Sequence, residues 1–179
     1  MGRQGTGFSL IEVMVALVIL TVGLIGVFNL HLVAKQGSYE SFQQTLAAHY
    51  AADIVSRMRL NSSELSQYGG NYQGGLVMPA KSCDANNRCL NAETRVWDLY
   101  QWEQQFRGGA EVSASRQLGG LDNATGCIQI GTNGDVSVVM SWRGIRSISD
   151  GAANANAFVR QCGSADKRRR IYLLETVIQ

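Results

Sequence analysis

Proline is almost absent: Pro79 is the only one in 179 residues. The stretch from residue 8 to residue 60 therefore carries no helix-breaking proline. Histidine is nearly as scarce. His31 and His49 lie 18 residues apart, about five helical turns, so they cannot share a metal within one chain. The cysteines contain no Cys-x-x-Cys pair, which argues against a zinc site and a redox enzyme. No Ser-His-Asp set and no paired carboxylates stand out, so the sequence calls for no enzyme, no metal and no cofactor. Charge of one sign is lacking too. The formal net charge is +2, and from Ser62 onward 12 Lys/Arg face 11 Asp/Glu. Nucleic-acid binding usually needs a strongly basic face, so DNA or RNA is not the expected partner. There is no internal repeat.

What the chain does have is a long apolar run. It extends from Phe8 to Phe28, 21 residues, and as a helix spans roughly 30 Å, a full bilayer core. The seven residues ahead of it are too few for a secretory signal with its own apolar core. Arg3 precedes the run and Lys35 follows it. Arg3 favours the start of the chain on the cytoplasmic side, which puts the rest across the membrane. Glu12 interrupts the run near its beginning. A charge at bilayer depth costs roughly 2.5–3.5 kcal/mol even on lenient scales, so Glu12 is a functional candidate that needs a partner.

The helical pattern continues past the membrane length. From Leu30 to Leu60 the only glycine is Gly37. Tyr39, Phe42, Leu46, Tyr50, Ile54 and Met58 recur every three or four residues, an apolar stripe. Glu40, Gln43, Gln44, Asp53 and Arg57 are expected on the opposite side. One helix of ~80 Å is thus predicted from Phe8 to about Leu60, stopped by Asn61-Ser62-Ser63. Gly23 and Gly26 weaken its first half by roughly 1 kcal/mol each relative to alanine. Residues 62–91 read as irregular. Asn91 is expected to cap a short helix ending at Phe106, with Val96, Leu99, Trp102 and Phe106 on one side.

A strand-rich end follows. Cys127 to Ile130 leads into Asn133-Gly134, and then Val136, Val138, Met140 and Trp142 alternate, a strong hairpin signal. Residues 147–158 are expected to form a loop. Arg170 to Ile178 reads as a last strand, with Tyr172 and Leu174 on one face and Ile171, Leu173 and Val177 on the other. The pattern implies an α+β fold, one long N-terminal helix packed on an antiparallel sheet.

Gly7-Phe8-Ser9-Leu10-Ile11-Glu12, followed by Val-Met-Val-Ala-Leu-Val-Ile-Leu, resembles the class III signal of type IV pilins and their relatives. In that family a peptidase cuts after the glycine, the new N-terminal phenylalanine is methylated, and the acid five residues in meets a neighbour's N-terminus. The resemblance implies cleavage between Gly7 and Phe8, N-methyl-Phe8, and an assembly role for Glu12. It divides the chain into a leader, residues 1–7; a membrane and filament-core half-helix, 8–32; an amphipathic half-helix, 33–61; and a periplasmic or extracellular domain, 62–179. Many major pilins carry a proline within the first half-helix; Asn29 stands there in this chain.

Later segments narrow the resemblance. They are Ala47-Ala48-His49-Tyr50-Ala51-Ala52-Asp53, Arg57-Met58-Arg59, Trp97-Asp98-Leu99-Tyr100-Gln101-Trp102, Val138 to Gly144, and Arg169 to Thr176 after Cys162. Together with Asn29 they look like the PilV type of minor pilin. That implies a low-abundance subunit of a priming complex, first in the bacterial inner membrane and later at the pilus tip. Its implied partners are other minor pilins, the major pilin, the prepilin peptidase, the inner-membrane assembly platform and a large tip adhesin. A minor pseudopilin of a type II secretion system shares the same signal, helix and sheet. A tip subunit that binds DNA or a host surface is the alternative from another class.

Cys83, Cys89, Cys127 and Cys162 all follow the apolar run and fit an oxidising compartment. Three connectivities are open to four cysteines. Sequence proximity favours Cys83–Cys89, worth about 2 kcal/mol by chain entropy, with Cys127–Cys162 worth about 4 kcal/mol. Lys167-Arg168-Arg169-Arg170 is the one dense basic run. It reads either as a solvated turn or as a docking patch for an acidic partner. Trp102 and Trp142 are expected in the core; Trp97 is open between core and exposed anchor.

Overall fold

The computed structural model describes residues 7, 9–109, 112–113, 116–117 and 119–179. Contacts divide the chain into two units, one ending at Tyr39 and one running from Glu40 to Gln179. Helix α1, Leu10–Leu60, contributes to both and is unbroken through Gly23, Gly26 and Asn29.

In the first unit none of the described residues covers α1. Its start is marked by the Ser9 carbonyl, which accepts from the Glu12 N–H at 3.0 Å. Leu10, Ile11, Val18, Ile19, Leu24, Ile25 and Phe28 are exposed around its circumference. The most apolar 18-residue window has a mean hydropathy of 2.7, with none of it buried, and is long and apolar enough to cross a membrane. A helix apolar on every side is stable only where its surroundings are apolar too.

The second unit packs residues 40–60 of α1 against a sheet. After α1 come a 3-10 helix, Ser62–Tyr68, strand β1, Gly70–Tyr72, and helix α2, Asn91–Phe106. The short strands β2, Val112–Ser113, and β3, Arg116–Gln117, pair with each other. Then follow β4, Thr125–Ile130, β5, Asp135–Arg143, helix α3, Ala157–Gln161, and β6, Arg169–Val177. The main sheet is four-stranded and antiparallel, in the order β1-β4-β5-β6. Alternation along β5 supplies both faces. Val136, Val138, Met140 and Trp142 join the core with α1 and α2. Val139 joins Cys127, Ala152, Val159 and Cys162 in a smaller core beside α3.

Several sequence expectations are corrected here. The buried stripe of α1 is Gln43, Ala47, Ala51, Ile54, Val55 and Met58; Ile54 and Met58 are buried as expected, and the first half of the stripe is offset from the expected one. Tyr39 and Phe42 are exposed, and Gln43, expected outside, is buried. The face that meets the core runs through Ala47, Ala51, Ile54, Val55 and Met58, and Leu46 and Tyr50 pack partly buried at its margin. On α2, Val96 is exposed whereas Leu99, Trp102, Glu103 and Phe106 are buried. Asn91 is not the cap but the first helical residue. Its side chain donates to Ser63 Oγ at 2.8 Å, and the Glu93 carboxylate accepts from the Leu90 N–H at 2.8 Å. Residues 62–91 hold the 3-10 helix and β1, and α3 begins inside the expected loop, capped by Asn156 Oδ1 on the Val159 N–H at 2.9 Å.

Two glycines are dictated by geometry. Gly134 turns the β4–β5 hairpin at a φ of 79°, which suits glycine. Gly126 faces Trp102, and a Cβ there would lie 2.4 Å from the indole ring. Trp102 itself is fully buried and donates its Nε1–H to the Tyr50 carbonyl at 2.8 Å. Tyr72 and Phe106 meet its ring edge-on, with centroids 5.6 Å and 4.8 Å away. Trp142 is buried as expected, and Trp97 is half-buried beside Tyr100.

Candidate functional site

The N-terminal segment carries the chemistry read from the motif. Phe8 and residues 1–6 lie outside the described residues. Gly7 precedes the helix, and among the described residues no atom comes within 4 Å of where a Cβ would sit. Glu12 occupies the first turn of α1 and is exposed. An acid there interacts favourably with the positive end of the helix dipole. Its side chain borders a shallow groove lined by Val13, Ala16, Leu17 and Leu20. Ala16, one turn on, is the small residue that opens this notch. The arrangement offers one negative charge in an apolar surface, suited to an amine carried on an apolar helix.

The basic run is split by the fold. Arg169 is buried, with an exposure of 4%. Its Nε and Nη2 donate to the two carboxylate oxygens of Asp150, both at 2.7 Å. Its Nη1 donates to the carbonyls of Arg160, Cys162 and Gly163. The Arg169 side chain holds the Asp150 carboxyl below the usual carboxylate range. Arg170 donates to the Arg146 carbonyl at 2.7 Å and pairs with Glu40 at 3.5 Å. Only Lys167 and Arg168 remain exposed. Four consecutive bases in sequence are thus two structural arginines and two surface charges.

The cysteines form two disulfides, Cys83–Cys89 and Cys127–Cys162. The first closes a loop organised by Asp84, whose carboxylate accepts from the Asn86 and Asn87 N–H groups at 2.8 Å and 3.0 Å. Those bonds, the Asn86 N–H foremost, and the Ser82 hydroxyl lower the Asp84 carboxyl from its ordinary value. The second joins β4 to the end of α3, across the smaller core. Replacing Cys127 and Cys162 together by serine should lower stability by about 4 kcal/mol, and the same change at Cys83 and Cys89 by about 2 kcal/mol. Urea unfolding of the oxidised proteins measures both. Equal losses would show that loop length is not the controlling factor.

His31 and His49 are both exposed on α1. Sequence reading missed a polar network at the end of α1. Arg57 pairs with Asp53 at 2.9 Å and with Asp98 at 3.2 Å, and the Tyr68 hydroxyl donates to Asp98 at 3.0 Å. Glu103 was missed as well. It is buried and accepts from the N–H groups of Gly74 and Leu76 at 2.6 Å and 2.9 Å, holding that loop to α2. The available signal was the spacing of Asp53 and Arg57, one helical turn apart.

The prokaryotic N-terminal methylation motif matches residues 3–28. Comparison with curated proteins and with solved structures gives no match. The motif implies processing by a prepilin peptidase and assembly with other pilins. The motif, the apolar helix and the helix-on-sheet domain mark the chain as a type IV pilin- or pseudopilin-like prepilin.

Proposed function

We propose that this prepilin is a minor pilin of the PilV type that helps prime type IV pilus assembly and ends at or near the pilus tip. The observation that carries the assembly role is Glu12, an acid on the exposed face of an otherwise apolar helix. Left alone in lipid it is costly; beside the amine of a neighbouring Phe8 it is paired. The PilV assignment rests on the Trp97–Trp102 and Val138–Gly144 segments, now placed on α2 and at the end of β5. Before assembly the chain crosses the inner membrane once, with its domain in the periplasm. The membrane-length helix and the two disulfides support that location.

Glu12→Ala should still be cut after Gly7, yet be recovered in sheared pili at about one tenth of the normal level. Immunoblots of the pilus and membrane fractions read this directly. Normal recovery would remove Glu12 from assembly. Deleting the chain should abolish surface pili and twitching while secretion continues. The opposite phenotype, lost secretion with pili intact, would assign it to a type II secretion system as a minor pseudopilin.

A further inference from the structure

The last strand is an open edge. In the sheet order of the described residues, β6 has a neighbour on one side only. Its nine residues pair with β5 in unbroken register, from Arg169 opposite Arg143 to Val177 opposite Asp135. Two contacts at the ends reveal which groups that pairing uses. The Ile178 N–H donates to the Gly134 carbonyl at 2.9 Å, and the Gly144 N–H to the Arg168 carbonyl at 2.8 Å. Bonded and non-bonded pairs alternate along antiparallel strands. Even-numbered residues of β6 therefore bond to β5, and odd-numbered ones turn their N–H and C=O outward.

Arg169 shows what becomes of an outward pair where the chain covers it. Its carbonyl accepts from the Gly151 N–H, and its N–H donates to the Asp166 carbonyl, both at 3.0 Å. Farther along, no backbone bond from the described residues reaches the outward groups of Leu173, Glu175 or Val177. Most of the usual protections of an edge are also missing. Ile171 to Val177 contains no proline and no lysine, and its register has no bulge. Leu173 and Val177 expose 39% and 50% of their surface.

Charge frames this edge. Lys167 and Arg168 stand exposed just before its first residue, and Glu175 is the only charge between Ile171 and Val177. One end is positive and the other negative. A second copy of β6 fits this poorly. Laid antiparallel about Leu173, it sets Glu175 against Ile171; laid about Glu175, it sets two carboxylates together. Laid about Ile171, it sets Glu175 against Lys167, but Leu173 then faces Arg169, whose outward N–H and C=O are already taken by Asp166 and Gly151.

We propose that β6 accepts an extended strand of a different protein as a fifth, antiparallel strand. That strand is apolar in its middle, basic near its beginning, opposite Glu175, and acidic near its end, beside Lys167 and Arg168. Main-chain bonds to Leu173, Glu175 and Val177 supply affinity, and the two charge contacts set direction. The proposal rests on β6 alone and stands or falls separately from the pilus reading.

The test uses the full chain in detergent micelles and two synthetic peptides of the length of β6. One has the stated charge order; the other has every charge reversed. Amide hydrogen exchange is followed at residues 173, 175 and 177. The matching peptide should slow exchange at those three amides about tenfold when present at about ten times its Kd. It should also bind about threefold more tightly than the reversed peptide, and Glu175→Lys should narrow or invert that preference. Failure of both peptides to protect the three amides would overturn the proposal. So would protection already present in the chain alone at every concentration, because the edge would then be covered from within. Protection that grows with protein concentration, together with a dimer in sedimentation, would name a second copy as the occupant and overturn the heterologous strand.

Discussion

A Gly7→Phe chain should accumulate uncut, keeping the seven-residue leader. The argument separates processing from folding. Among the described residues nothing lies within 4 Å of a Cβ at residue 7. The substitution therefore meets no clash with them, and its consequence falls on the enzyme that must grip this backbone. Intact-mass measurement of the membrane-extracted protein distinguishes the outcomes. The unaltered chain should begin at methylated Phe8; the variant should retain the leader as the dominant species. Far-UV circular dichroism should show the same helix content in both. Efficient cutting of the variant would move the cleavage site away from Gly7. A wild-type chain that still begins at Met1 would mean that the motif is unused.

Arg169→Ala should lower stability by about 3–5 kcal/mol, a large part of the 5–15 kcal/mol typical of a domain. The guanidinium is 4% exposed in its side chain, against 22% for Asp150. Removing it leaves a largely buried carboxylate and three carbonyls without their donor. Arg169→Lys should rescue little, because a point ammonium does not reproduce the fork that grips both Asp150 oxygens and turns a third nitrogen to the carbonyls. The same pair predicts an acid limb. Arg169 depresses the Asp150 carboxyl in the folded state. A depressed folded value means that the contribution is complete above the unfolded value, about 3.9, and is lost as pH falls through the folded one. Urea midpoints measured from neutral pH downward should therefore fall below about pH 4 in the wild type. The fall should be shallower in Arg169→Ala. Parallel curves would show that this pair does not carry the acid sensitivity.

Much of the molecule is legible because its causes are local. Glu12 and Gly7 sit in one contiguous motif. The long helix follows from an unbroken apolar period without proline, and Asn133-Gly134 between alternating runs announces the β4–β5 hairpin. The cysteine pairing was favoured by proximity along the chain, and the structure contains that pairing. Where expectation and structure part over the core, the cause is distant in sequence. Tyr39 and Phe42 have the right spacing for a core stripe, yet they are exposed, and the buried face runs through Gln43, Ala47 and Ala51. Gly126 looks like an ordinary strand glycine until Trp102, brought by α2, occupies the space of its missing Cβ.

The basic run states the division most clearly. Composition and order alone determined that a membrane-length helix with one acid begins this chain, that a sheet domain follows it, and that four positive charges precede the last strand. None of that depends on which residues meet. Tertiary structure alone decided that Arg169 lies inside against Asp150, that Arg170 reaches Glu40, and that Lys167 and Arg168 stay in water. Residues in sequence are neighbours by bond, and a strand sends them to opposite faces. Whether such a charge is buried or solvated depends on what the rest of the chain places beside each face, and only folding supplies that.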